Sequence, residues 1–148
     1  MNILSFNTLI GWITISEEND SITSIKFGRK KNLGKNIVLT KLKKQIIEYT
    51  LGTRKNFTVK INIEGSPLQK KIWKQLNNIN YGTTKTYGDI AKLLNTSPRY
   101  VGNVCGQNNH LLVVPCHRVI RSDGSLGGFS GLGGIKLKKN YFNLRKNE

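Results

Sequence analysis

Thr86-Tyr87-Gly88-Asp89-Ile90-Ala91-Lys92-Leu93-Leu94-Asn95-Thr96-Ser97-Pro98-Arg99-Tyr100-Val101-Gly102-Asn103 is the stretch whose reading decides the fold. Tyr87-Gly88 leads into an apolar-periodic run that predicts a helix over 89–94. Asn95-Thr96 interrupts it, and Ser97-Pro98 is a helix start signal. A serine at that point accepts from free backbone N–H groups, and proline fits the first helical position because it has no N–H to lose. The following helix is predicted over 98–107. Two short helices joined by a tight turn, the second opening with Arg99, make the pattern of a helix-turn-helix. Many helical pairs share that pattern, so by itself it names no partner.

Upstream, Gly65-Ser66-Pro67 repeats the start signal, opens a helix through Leu76 and marks a domain boundary. Tyr81-Gly82-Thr83-Thr84 is a turn. Residues 1–64 read differently. Short strands are predicted at 3–6, 9–15 and 22–27, and Glu17-Glu18-Asn19-Asp20 is a turn holding three of the eight acids. Residues 28–36 form a basic, glycine-containing loop. Leu39, Leu42, Ile46 and Tyr49 recur at helical spacing, with Thr40 as the expected N-cap. Residues 57–63 alternate strictly and predict another strand. Downstream, 111–114 reads as a buried strand, and six glycines between Gly124 and Gly134 precede a basic helix from about Ile135. The class is α+β. A small strand-rich N-terminal α/β domain, 1–64, precedes a helical domain, 65–148.

At 148 residues the chain has single-domain length with room for at most one small extra domain. Its 37% hydrophobic content suffices for a core. No stretch approaches the ~20 apolar residues of a membrane span, and no apolar run with a cleavage site follows the first residues, so a soluble, cytoplasmic protein is expected. Two cysteines, Cys105 and Cys116, are too few for a disulfide framework or a four-ligand zinc site. Twenty-four Lys+Arg against eight Asp+Glu give a formal charge of +16, which favours a polyanion: nucleic acid or an anionic membrane surface. Eighteen of those cations are Lys, in a chain also rich in Asn and Ile, and genome bias can produce that composition without a partner. The excess is +6 over residues 1–64 (11 cations, 5 acids) and +10 over 65–148 (13 and 3), so it is no tail effect.

Pro115-Cys116-His117-Arg118-Val119 carries the chemistry. A thiolate is the nucleophilic form of cysteine, and a neighbouring imidazole and guanidinium both favour the anion. Adjacent strand residues point to opposite faces, so a Cys-His pair works only if the chain bends after Pro115. The tripeptide fits a buried structural Cys beside an incidental His equally well. His110 and His117 lack the short paired spacing of metal ligands, so no metal site is expected.

From Gly65 to about Leu144 the chain resembles the O6-alkylguanine-DNA alkyltransferases, or methylated-DNA–protein-cysteine methyltransferases. The matching blocks are Gly65-Ser66-Pro67-Leu68-Gln69-Lys70-Lys71-Ile72-Trp73, Tyr81-Gly82, the run from Thr86 to Ala91, and Ser97 to Asn103. Asn108, Pro115 to Val119, and Gly128-Phe129-Ser130-Gly131 complete them. Residues 1–64 resemble the family's variable N-terminal domain only in length and strand pattern. The resemblance implies a winged-helix-like DNA-binding domain that carries the active-site cysteine and flips a damaged base out of duplex DNA. Cys116 is then the irreversible alkyl acceptor and His117 its base acting through a water. Tyr87 helps rotate the nucleotide and bonds the flipped base. Arg99 is the finger that replaces it in the stack, and Thr86, Tyr100, Gly102 and Asn103 join it on the DNA side. Asn108 ties the recognition helix to the cysteine segment, while Val119, Ser130 and Arg118 frame the guanine. Cys105 lines the pocket as a packing residue.

The implied partner is double-stranded DNA containing O6-alkylguanine, bound by a monomer without a cofactor. Three departures stand out. Tyr87 and Arg99 are two residues closer than in many relatives, which requires a shorter turn. Arg145 falls where the family has a Glu beyond the His, with Leu132-Gly133 reading as an insertion and Glu148 as the nearest acid. The zinc site of some relatives' N-terminal domains cannot form, since both cysteines lie beyond residue 64. Two rival readings stand beside this one: a DNA-binding module without transfer, and a Cys-His hydrolase.

Overall fold

Three antiparallel strands open the chain in the order β1 (Asn2–Thr8), β2 (Gly11–Glu18) and β3 (Ser21–Phe27). The computed structural model describes residues 1–121. Register pairs Phe6 with Ile13 and Ile15 with Ile25, so apolar residues stack on one face. A bulge at Ser16/Glu17 shifts the β2–β3 register by one residue before Glu17 pairs with Ile22 and Glu18 with Ser21. Helix α1 (Ile37–Thr50) packs on the sheet through Leu39, Leu42, Ile46 and Tyr49, all buried. Burying each such aliphatic side chain contributes about 1.5–3 kcal/mol.

The cap of α1 is Asn36 rather than Thr40. Asn36 Oδ1 accepts from Val38 N at 2.7 Å, whereas Thr40 lies inside the helix with its hydroxyl turned back to Asn36 O. Glu17 and Asp20 accept from Asn36 Nδ2, which holds the other end of the amide and aims its oxygen at the helix. That orientation comes from residues 16 and 19 positions away, beyond what the local sequence shows.

Residues 57–63 are not a strand. Their side chains do alternate, with Phe57, Val59, Ile61 and Ile63 half-buried and the residues between them exposed. The backbone, however, meets β3 only at the Ile22–Ile61 bridge. At Thr58 the ladder partners are replaced by side chains of α1: Gln45 Oε1 accepts from Thr58 N and Lys41 Nζ donates to Thr58 O. Residues 111–114 are not a strand either. They form turns, with Leu112 at φ 69°, a conformation that breaks extended pairing. Their neighbour His110 bridges to Ile25 on β3, so Asn109–Val113 belong with Met1–Ile63 in one compact unit, although the sequence division gave them to the second domain.

The second unit, Glu64–Asn108 with residues 114–121, is helical. Helix α2 (Pro67–Asn77) begins with a full capping box: Ser66 Oγ accepts from Gln69 N, and Gln69 Oε1 from Ser66 N. Helix α3 (Tyr87–Leu94) starts two residues before the sequence estimate because Thr86 and Asp89 form a second box. A three-residue turn leads to α4 (Pro98–Gly106), capped by Ser97. Asn95 makes that turn tight by taking the left-handed conformation (φ 54°, ψ 49°), which asparagine tolerates better than most residues. Strand β4 (Lys85–Thr86) pairs in parallel with β5 (Val119–Ile120), completing an α+β architecture. Ile72, Leu76, Ile79, Ile90, Val101 and Val104 form the core of this unit. No helix among the described residues is long and apolar enough to cross a membrane.

Candidate active site

Pro115 (φ −83°, ψ 65°) turns the chain into a single 3-10 turn, Cys116–Arg118, before β5. Cys116 therefore does not sit on a strand. The turn sends successive side chains about 120° apart instead of to opposite faces, which is the bend a Cys-His pair needs. All three side chains are withdrawn from water: Cys116 is 0%, His117 2% and Arg118 7% exposed.

Asn108 follows α4, its backbone N donating to Cys105 O at 3.2 Å. Its side-chain Nδ2 donates to Val114 O at 2.8 Å and to Cys116 Sγ at 3.2 Å. One amide thus anchors the backbone just before the turn and aims a donor at the sulfur. Such a bond strengthens when the sulfur becomes a thiolate.

Arg118 turns toward the loop after α2. Its Nη1 donates to Ile79 O at 2.9 Å, and its guanidinium lies 5.6 Å from the centre of the Tyr81 ring. Cys105 lies on the buried face of α4 beside Val101 and Val104. Burial, and secondarily Cys116, push its thiol well above the usual range. Cys105 therefore stays a neutral thiol and packs as an apolar side chain would. Val119 is buried at the start of β5.

The opposite face of α4 is open. Arg99 and Asn103, one helical turn apart, are exposed, and Tyr100 is half-buried. Gly102 faces the ring of buried Tyr87: a methyl added there would sit 3.9 Å from Cε1, ordinary contact distance. Thr86 spends its hydroxyl on capping α3, and its backbone N–H bonds Asp89, holding that carboxyl below its usual range.

The sequence of this unit matches the model described as 6-O-methylguanine DNA methyltransferase, DNA binding domain, over residues 67–146. The inducible methylated-DNA–protein-cysteine methyltransferase of Bacillus subtilis is 37% identical, over 98% of this chain and 84% of its own. This chain belongs to the methylated-DNA–protein-cysteine methyltransferase family. Its relative in Sulfolobus acidocaldarius is 34% identical over 94% of this chain and 89% of its own. Among solved structures, Mycobacterium tuberculosis OGT in complex with DNA shares 30% identity at a TM-score of 0.83, over 97% of this chain and 92% of that one.

In this methyltransferase-family chain the site residues Thr86, Tyr87, Arg99, Tyr100, Gly102, Asn103, Cys105, Asn108, Cys116, His117, Arg118 and Val119 all fall in the second unit. Ser130, the C-terminal glycines, Arg145 and Glu148 lie outside the described residues. Sequence reasoning missed Ile79 and Tyr81 as partners of Arg118, and Val114 as the second acceptor of Asn108. A buried arginine demands partners, and that was the available signal; which partners they are depends on packing across 39 residues of chain. Among the described residues no cluster of His, Cys, Asp or Glu could hold a metal ion.

Proposed function

We propose that this protein repairs DNA by moving the alkyl group of O6-alkylguanine in double-stranded DNA onto Cys116, once per molecule. The observation that carries this reading is the buried Cys116 sulfur on a tight turn, accepting a hydrogen bond from Asn108 at 3.2 Å. A nucleophile poised by a donor, beside a helix whose exposed face carries Arg99, suits a base brought out of the duplex. The +16 charge suits phosphate contacts that hold DNA with little sequence preference.

Cys116 gives its proton, through a water, to His117. Its sulfur then attacks the alkyl carbon in line with the C–O6 bond: the S–C bond forms as that bond breaks, and guanine leaves with the electron pair and regains a proton. Tyr87 stands at the base-binding position and Arg99 replaces the lost base. A cation at the start of α4 opposes the helix dipole, a local cost that contact with an anionic duplex offsets. The alkyl group comes with the substrate, so the step requires no cofactor. The thioether has no leaving group of comparable ease, and the protein is spent. One acceptor serves one lesion, which suits a monomer.

Intact-protein mass spectrometry after incubation with an O6-methylguanine duplex is the test. One added methyl group, mapped to Cys116 and absent from Cys116→Ala, is expected. Methyl transfer that persists in Cys116→Ala and maps to Cys105 overturns the assignment.

A further inference from the structure

Between Asp20 and Glu48 the chain holds eight cations and no acid. Four of them, Arg29, Lys30, Lys31 and Lys35, sit on a segment that carries no secondary structure of its own, yet it is tightly held. Gly28 N donates to Trp12 O, Thr14 Oγ1 to Gly28 O, Lys30 N to Ser5 Oγ and Ser5 N to Asn32 Oδ1. Leu33 and Ile3 exchange both backbone bonds at 2.9 and 2.8 Å. Residues 28–33 thus form a strap that runs from β2, at Gly28, to the outer edge of β1, at Leu33, and Gly34, at φ 66°, turns it toward Lys35 and α1.

The cations on this strap are exposed, and none makes an ion pair with a described residue. Two of the nearby acids are committed elsewhere: Glu17 accepts from Asn2, Asn36 and the Asp20 backbone, and Asp20 accepts from Asn36, while the exposed Glu18 makes no ion pair with a described residue. Arg29 stacks on Trp12 with its guanidinium carbon 4.4 Å from the ring centre, which fixes its position while leaving it accessible. Four like charges within seven residues repel one another, and holding them together on six hydrogen bonds to the sheet adds nothing to the fold that neutral side chains would not. What the arrangement does provide is a preorganised row of cations, which binds a polyanion with little further ordering cost.

We propose that the 28–35 strap is a second DNA contact, gripping phosphates of the duplex independently of the base-flipping residues. The inference rests on the repair reading above and assigns to the first unit a share of the binding. A membrane surface is the poorer match, because the strap is not an amphipathic helix and places its cations on a non-helical backbone.

The test is a graded series, Lys30→Gln, then Lys30→Gln with Lys31→Gln, then both with Arg29→Gln and Lys35→Gln. Each full-length variant is measured for affinity to an undamaged duplex against salt, and for its rate with free O6-benzylguanine. The slope of log affinity against log salt should fall by about one for each cation removed. At about 0.1 M salt the fourfold variant should bind on the order of tenfold or more weakly, with the O6-benzylguanine rate within about twofold of wild type. An unchanged slope with an intact O6-benzylguanine reaction overturns the proposal. If the fourfold variant loses that reaction it has lost its fold, and the slopes of the single and double variants decide. A wild type that reacts with neither alkylated duplex nor O6-benzylguanine overturns the repair reading instead, and its salt series still decides the strap.

Discussion

Asn108 and Cys116 share one amide group: Nδ2 of Asn108 lies 3.2 Å from Sγ and 2.8 Å from Val114 O, so both amide hydrogens are committed. Removing the side chain takes away a donor from the sulfur and an anchor from the segment before the turn. Asn108→Ala should slow methyl transfer by about ten- to hundredfold, the worth of one hydrogen bond to a charged group at about 1.5–3 kcal/mol. Asn108→Asp, nearly the same shape but with acceptors where the donor was, should be slower still. Single-turnover rates on an O6-methylguanine duplex give the measurement, and an Asp variant faster than the Ala variant would contradict it.

Tyr81 and Arg118 supply a second handle on the turn. The guanidinium is buried against that ring and the Ile79 carbonyl, so the aromatic face should matter. Tyr81→Phe, which keeps the ring face, is expected to lower melting temperature and the O6-benzylguanine rate less than Tyr81→Leu does. Tyr81→Leu should lose about 1–2 kcal/mol of stability from the vanished cation–π contact and slow the reaction as the turn loosens. Equal effects of Phe and Leu would show that the ring face is not what holds Arg118.

Arg99 is exposed at the start of α4, and the proposed function assigns it to the duplex rather than to the chemistry. Arg99→Ala should slow repair of duplex DNA by about tenfold or more, because extrusion of a base costs a few kcal/mol and ~1.4 kcal/mol of lost compensation is a factor of ten. The rate with free O6-benzylguanine should hardly change. Equal slowing of both would move Arg99 into the pocket.

His110 gives the first unit a pH dependence. Burial pushes its pKa below the ordinary value, partly countered by hydrogen bonds with the Ile22 and Asn62 backbone. The unfolded chain therefore binds a proton more readily than the folded one, so stability is full above the ordinary histidine value and declines as pH falls through about 6.5. The melting temperature should drop between about pH 7.5 and pH 5.5, and His110→Gln should flatten that drop. A drop of the same size in the variant would assign it to other groups.

Much of the helical unit was legible because helix starts are local. Ser66-Pro67 and Ser97-Pro98 announce α2 and α4 through groups within three residues of each other, and Pro115-Cys116-His117-Arg118 announces its chemistry in four adjacent positions. The alternation of β1 to β3 was equally plain, since apolar spacing of two is written into the residues themselves. Tertiary structure alone decided what depends on backbone partners far along the chain. Residues 57–63 have the side-chain pattern of a strand, but Gln45 and Lys41 occupy the hydrogen-bonding groups of Thr58 that a ladder would need. Residues 109–113 read as part of the second domain, yet His110 returns to Ile25 across 85 positions. The bond from Asn108 to the sulfur and the route of Arg118 to Ile79 belong to the same class: the sequence supplies a donor that must be satisfied once buried, and only packing decides which acceptor it meets.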